Sequence, residues 1–263
     1  MTLEGKVAVL VGGGGGIGVA SAVAMARGGA TVIVADIDEA LAQAAAGRVQ
    51  STGAEGWGEQ IDALDEKQVE GLISRVIERH GRLDVLQSLP STTVLAPSIE
   101  IAIVDLERVL RTTVVGQFLP ARVAARHMIE LGHGGSIILM SSIGGLGGLP
   151  RRAAYTASAG AIVQLTRTLA VEWALYGIRV NAIAPAWTLT DALLKYKEQF
   201  PDQLDLDALA ERIPMGRLGT PEEIGDVAAF LAADASRFIT GVTLPVDGGV
   251  VAYVGPHGKP SEA

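Results

Sequence analysis

The sequence predicts a doubly wound α/β domain: one Rossmann-type parallel sheet of about seven strands with helices on both faces. Three observations lead there. Short aliphatic runs alternate along the chain with longer segments of helical period. The aliphatic runs lack polar alternation, as strands covered on both faces must. Five consecutive glycines sit where the first such run gives way to the first helical segment.

Taken in order, Val7–Val11, Thr31–Ala35, Leu83–Gln87, Ser136–Met140, Ile178–Ile183 and Val242–Val246 read as buried strands, each nearly continuous in Val, Ile, Leu and Ala. A weaker strand is expected near Gly56–Ile61. Helical spacing marks Ile17–Arg27, Glu39–Gln50, Glu66–His80, Leu106–Leu131, Ala154–Tyr176 and Pro221–Ala233. Strand alternating with helix gives a parallel sheet. No linker, repeat or low-complexity segment divides the chain, so residues 1–255 read as one domain. Thr188–Arg212 is charged and irregular, and residues 256–263 form a Gly/Pro/polar tail.

Composition narrows the function. Of 263 residues, 49% are apolar and 19% charged, which excludes a disordered chain. Aromatics make up only 4%, too few for a base-stacking surface. The formal net charge is −8 and no basic run exists, so neither nucleic acid nor an anionic membrane is expected as a partner. The absence of cysteine removes disulfides, thiolate metal ligands and a cysteine nucleophile. His80, His127, His133 and His257 show no metal-ligand spacing. Met1–Lys6 lacks the apolar region of a secretory signal, and no apolar stretch reaches membrane-spanning length, so a cytoplasmic protein is expected.

The segment Leu10–Gly18 turns a strand into a helix through Gly12–Gly16. So tight a turn needs positive φ and no Cβ, which lets backbone N–H groups and a helix N-terminus approach a pyrophosphate. The glycine run alone fits several spacings and a flexible loop besides; its strand–turn–helix context gives it meaning. Asp36 ends the second strand, 18 residues beyond Gly18. A carboxylate there accepts from both hydroxyls of an adenosine ribose and repels a 2′-phosphate, and no Lys or Arg follows to neutralise one. NAD(H) is therefore expected over NADP(H). The alternative role for Asp36 is a helix N-cap, for which Asp38 is as good a candidate.

Over nearly its whole length the chain resembles the short-chain dehydrogenase/reductase family. The resemblance rests on Gly12, Gly16 and Gly18, on Asp36 and Asp62, on Ser142 in Met140-Ser141-Ser142, and on Tyr155 thirteen residues later. Ile178–Pro185, Pro214–Glu223 and Val246–Gly249 complete it. The resemblance implies that Gly12, Gly16, Ile17 and Gly18 cradle the cofactor and that Asp62 faces the adenine. It implies that Ile183 and Pro185 line the nicotinamide ring, and that Thr190 reaches its carboxamide. It makes residues 188–213 a substrate lid and Ser142 and Tyr155 the catalytic pair. It also implies a homotetramer built on Leu106–Leu131 and Ala154–Tyr176.

Departures from the family pattern are as informative. Where the family has Tyr-x-x-x-Lys this chain reads Tyr155-Thr156-Ala157-Ser158-Ala159, and the family's Asn position falls on Thr113. Ser88-Leu89-Pro90-Ser91 stands where Asn-Asn-Ala-Gly is usual, with Val11 before Gly12 and Ala186 after Pro185 as smaller changes. In the family the Lys lowers the Tyr pKa and holds the nicotinamide ribose. A tyrosine ordinarily titrates near 10, so losing such a cation costs on the order of a thousandfold in general-base work. Arg151, Arg152, Lys195 and Lys197 are candidate replacement cations, or else solvated surface charges.

Three readings follow. The first is an NAD(H)-dependent oxidoreductase of a small hydrophobic alcohol or carbonyl, with a rearranged site. The second is an NAD-holding regulatory subunit of a hetero-oligomer with an active homologue. The third is a lyase or isomerase in which Ser142 and Tyr155 polarise a carbonyl.

Overall fold

The computed structural model describes residues 2–199 and 204–253. In chain order the strands and helices are β1 Val7–Val11, α1 Gly16–Arg27, β2 Thr31–Asp36, α2 Glu39–Gln50, β3 Gly56–Gln60 and α3 Glu66–His80. Next come β4 Val85–Ser88, α4 Ile103–Leu110, α5 Gly116–Leu131, β5 Gly135–Met140 and α6 Ala153–Trp173. The last are β6 Ile178–Pro185, α7 Asp191–Gln199, α8 Leu206–Glu211, α9 Pro221–Ala232 and β7 Thr243–Val246. All seven strands pair in parallel, in the order β3-β2-β1-β4-β5-β6-β7. The winding direction reverses between β1 and β4, so the crevice that binds ligands in such sheets opens at their carboxyl ends.

Side chains alternate along β1, sending Val7, Val9 and Val11 to one apolar cluster and Ala8 and Leu10 to the other. The first cluster packs against α3, α5 and α6 through Leu72, Met128 and Ile162; the second packs against α1, α2 and α9 through Met25, Val49 and Leu231. Both faces are thus covered, which is why the strand sequences carry so little polarity. Contact between α1 and α9 is close enough that a Cβ on Gly225 would lie 2.6 Å from the Ala20 carbonyl oxygen.

Three expectations need correction. Leu106–Leu131 is not one helix: α4 begins at Ile103, a π-turn occupies Arg111–Val115, and α5 runs from Gly116. Pro120 lies inside α5 and has no N–H to give the carbonyl of Gly116, which instead accepts from the Ser88 hydroxyl at 3.4 Å. At the start of α5, Gly116 N reaches back five residues to the Arg111 carbonyl, closing the π-turn. Thr188–Arg212 is not irregular throughout, because it holds α7 and α8. Neither helix buries a residue, so neither leaves an apolar stripe to read, and α8 is set instead by Asp205 accepting from Asp207 N and Ala208 N. Strand ends also shift: β4 spans Val85–Ser88 and β6 extends to Pro185, where it pairs with Val246. The expected tail, residues 256–263, lies outside the described residues.

A side chain with no counterpart in the sequence-based expectations joins the strand ends. Gln117, fully buried on α5, accepts from Met140 N at 2.8 Å and donates to Met140 O at 2.9 Å and Pro90 O at 3.2 Å. Its amide thus pairs with the last residue of β5 as another strand would, and ties β5 to the segment after β4. The available signal was a polar residue four positions after Thr113 in an otherwise apolar helical run. Gln117→Leu leaves buried backbone groups unsatisfied, and urea unfolding is expected to show a loss of about 2–4 kcal/mol.

The base of the segment after β6 is fixed by charge. Arg217 donates to both carboxylate oxygens of Glu223, at 2.6 and 3.0 Å, and Thr220 N donates to the same carboxylate at 2.9 Å in a capping box at the head of α9. The Arg217 guanidinium, and then the Thr220 N–H, pull the Glu223 carboxyl down to about 2 from 4.5. A depressed carboxyl stabilises the fold fully above its ordinary value and loses that contribution as pH falls through the folded one. Wild type should therefore melt above Glu223→Gln at neutral pH, with the gap closing between pH 4.5 and 2. Because the pair is half exposed, the gap should also shrink in high salt.

Candidate active site

The glycine turn is shaped by close backbone approach. Gly12 has φ of +71°, and both Gly12 N and Gly13 N donate to the Ala35 carbonyl, at 2.8 and 3.1 Å. A Cβ on Gly12 would stand 2.9 Å from Pro90 N, and one on Gly18 would stand 2.5 Å from Gly13 O. Gly15 faces open space and caps α1 with no side chain; the first turn of that helix carries no acidic residue. Its N-terminal partial positive charge is therefore left for a ligand. Ile17 is half-buried in the same turn.

Asp36 reaches into this turn. One carboxylate oxygen accepts from Gly14 N at 2.9 Å and the other from Asp38 N at 3.1 Å. Asp38, not Asp36, caps α2, accepting from Ala40 N and Leu41 N. Each oxygen of Asp36 keeps a further lone pair, the acceptor capacity a ribose diol needs. A Cβ on Gly14 would meet that carboxylate at 2.9 Å, so the missing side chain is what lets Asp36 approach. Beside it, Ile61 N donates to Asp36 O at 2.9 Å, which brings half-buried Asp62 to the same rim. The Asp62 carboxylate accepts from Leu64 N at 2.8 Å.

The segment after β6 returns over the glycines. A Cβ on Gly16 would lie 3.4 Å from the Thr190 side chain, so Thr190 closes on the mouth of the turn. Its hydroxyl accepts from Leu193 N at 3.2 Å and starts α7. A bridge between Thr188 and Gly219 anchors the segment's two ends. Pro185 is buried at the end of β6; Ile183 is wholly enclosed in the second core cluster, so its contribution to a ring site is as packing beneath it. These residues together form an edge that fits a diphosphate-linked dinucleotide.

Across the crevice, Ser142 is buried just past β5, and its Oγ accepts from Gly144 N at 3.1 Å. That bond leaves the hydroxyl proton free to be donated. The preceding Ser141 donates to the Ala159 carbonyl at 2.9 Å, pinning the end of β5 to α6. Gly144 and Gly145 then lie flush on that helix: a Cβ on Gly144 would stand 3.2 Å from the Thr156 methyl, and one on Gly145 2.7 Å from Ala159 O. Ser142 and the first turn of α6, which carries half-buried Tyr155, are therefore held as one unit.

No cation occupies the family's Lys position. Ala159 is buried there, with its carbonyl already bonded. Thr113 lies in the π-turn, buried, and its hydroxyl has no hydrogen-bond partner. The Arg152 guanidinium lies over the Tyr155 ring, 5.8 Å from its centroid. Lys195 and Lys197 are on α7. Among the described residues no group of His, Asp or Glu could hold a metal ion, and no helix is long and apolar enough to cross a membrane.

Comparison with known proteins agrees with this geometry. Residues 12–251 match the family described as enoyl-acyl-carrier-protein reductase. The chain is 36% identical over 247 residues to D-threitol dehydrogenase of Mycolicibacterium smegmatis, covering 94% of this chain and 93% of that protein. It is 34% identical over 251 residues to 3-oxoacyl-acyl-carrier-protein reductase of Thermotoga maritima, covering 95% and 100%. Among solved structures, NAD+-bound xylitol dehydrogenase superposes with a TM-score of 0.88 at 32% identity, covering 95% of this chain and all of that one. A short-chain type dehydrogenase/reductase from Mycobacterium marinum superposes with a TM-score of 0.85 at 31% identity, covering 95% and 96%. The chain belongs to the short-chain dehydrogenase/reductase family of oxidoreductases.

Proposed function

We propose that this protein is an NAD(H)-dependent oxidoreductase that interconverts a small hydrophobic alcohol and its carbonyl compound through a rearranged catalytic site. The observation that carries the cofactor reading is Asp36, whose carboxylate rests on Gly14 N and Asp38 N and has no neighbouring Lys or Arg to receive a 2′-phosphate. Gly12, Gly16, Ile17 and Gly18 would hold the diphosphate, Asp36 the adenosine ribose and Asp62 the adenine rim. Pro185, Thr190 and, from beneath, Ile183 would hold the nicotinamide. The bound nicotinamide would supply what the chain lacks, a hydride acceptor or donor.

The chain's own part is proton and charge management. Ser142 would donate its free hydroxyl proton to the substrate oxygen. In reduction Tyr155 would give the proton that converts carbonyl to alcohol, and in oxidation the same proton returns. Ala159 leaves this exchange without the cation that speeds it in relatives. Exposed Ile103 and Val104 on α4 and Val171 on α6 support self-association along these helices, in keeping with a homotetramer. The partnerless Thr113 hydroxyl favours a second reading, a subunit that binds NAD without turning it over beside an active homologue.

Titration followed by nicotinamide fluorescence should show saturable NADH binding, more than tenfold tighter than NADPH, with Asp36→Asn narrowing the ratio. A preference for NADPH would overturn the cofactor assignment. Ala159→Lys should raise dehydrogenase turnover more than tenfold. An unchanged rate in a variant that still binds NADH would mean that Thr113 and Ser88–Ser91 have reshaped the site, and would favour the second reading.

A further inference from the structure

We propose that Arg152 is the specificity-determining residue of this cleft and that it binds a substrate carboxylate, so that the substrates are short hydroxy acids and the corresponding oxo acids. The oxidation or reduction of these acids rests on the oxidoreductase reading above, with its small substrate now carrying a carboxylate on the apolar skeleton; their binding does not.

The mounting of Arg152 is the first argument. Among the described residues Arg151 alone of the non-glycines has positive φ, at 61°. A side chain in that conformation is strained and persists where surrounding structure imposes it. Here the Arg151 carbonyl accepts from Ala96 N at 3.1 Å, tying the head of α6 to the segment after β4. Arg152 then lies half-buried between Tyr155, whose ring it covers at 5.8 Å, and Thr93, whose hydroxyl Nη1 reaches at 3.4 Å.

The second argument is unused bonding capacity. A guanidinium held over a ring, here 5.8 Å from its centroid, makes no N–H hydrogen bond in doing so, and its donors remain available. Arg152 spends one of them on a long bond to Thr93. Among the described residues no carboxylate pairs with it or with Arg151. A planar carboxylate would complete its fork with two parallel hydrogen bonds, whereas a neutral ligand would leave the fork unmet.

Position supplies the third. Arg152 lies three residues before Tyr155 and Ala159 four after, so one turn of chain separates each from the tyrosine. At Ala159 the helix is sealed by Gly145 and the Ser141 bond. Charge is thus missing one turn deeper along α6 and present at its N-terminal end, beside Tyr155. Leu95, next in the chain to the Ala96 that bonds Arg151, and Leu146, next to the Gly145 that packs on α6, are exposed and apolar, suited to a short carbon skeleton.

The test is calorimetric titration of the NAD+-loaded protein with pyruvate, acetoacetate and levulinate, which place the carboxylate at increasing distance from the carbonyl, and with their methyl esters. Oxo compounds with oxidised cofactor have no hydride to exchange, so binding is read without redox turnover. At least one acid should bind tenfold or more tighter than its ester. Arg152→Gln should bring that ratio close to one, Arg152→Lys should restore part of it, and Arg151→Gln should leave it as in wild type. Equal affinity for acid and ester in wild type, or loss of the ratio in Arg151→Gln rather than Arg152→Gln, would overturn the proposal. Melting temperature checks that each variant folds. The matching hydroxy acids are then assayed by nicotinamide absorbance: retained acid selectivity without turnover would overturn the oxidoreductase reading and leave the Arg152 assignment standing.

Discussion

The Gln117 amide holds the reacting end of this molecule together. A parallel strand ends by presenting N–H and C=O groups that have no further ladder partner, and buried groups of that kind must be satisfied locally. At the end of β5 the Gln117 side chain does this, engaging both polar groups of Met140, and a third bond to Pro90 draws in the segment after β4. The next residue, Ser141, reaches α6, and the one after it is Ser142. Position therefore passes from α5 through a buried amide to β5, and from β5 to the first turns of α6. Upstream of Gln117 the π-turn at Arg111–Val115 leads directly into α5.

The opposite wall is rigid for a different reason. It is made of backbone against backbone, Gly12 on Pro90 and Gly18 on Gly13, with the Asp36 carboxylate seated on Gly14 N. Pro90 belongs to both walls, since Gly12 packs on its backbone and Gly116 on its ring while its carbonyl accepts from Gln117. A proline at that point lacks the N–H that another residue would offer and fixes its own φ, so the shared hinge between the two walls is stiff. This is a structural consequence of the unusual Ser88–Ser91 segment, and it concerns placement of the site more than its chemistry.

What the sequence revealed follows from what each element buries. Strands covered on both faces must be aliphatic, so β1, β2, β5 and β6 were legible to within two residues at either end. The glycine turn was legible because so tight a turn demands a particular residue type, and Asp36, at the end of β2, is found with its carboxylate on Gly14 N. Helices α7 and α8 bury nothing and left no period to detect. Pro120 marked a missing bond inside α5, yet the group that takes up the freed Gly116 carbonyl is Ser88, 28 residues before that glycine, and the π-turn at Arg111–Val115 left no residue pattern of its own. Gln117 was hidden because one polar residue in an apolar run says nothing of its partners until the fold supplies them. The cationic side chain over Tyr155 was a candidate among four, and geometry separated it from the rest.

Electrostatics sets the terms on which this cleft can recognise a charged ligand. The formal net charge is −8, so the protein as a whole repels anions at long range. At physiological ionic strength that field is screened beyond about 8 Å, and inside this distance the nearest charges dominate. A half-buried guanidinium against an aromatic face is the kind of local charge that can outweigh it, since desolvation strengthens what screening would otherwise remove. Attraction of an anion by Arg152 must then act after encounter, slowing departure rather than hastening arrival. An acidic protein with one well-mounted cation at its cleft would select anions by residence time, and added salt would alter that selectivity less than it alters surface pairs such as Arg217–Glu223.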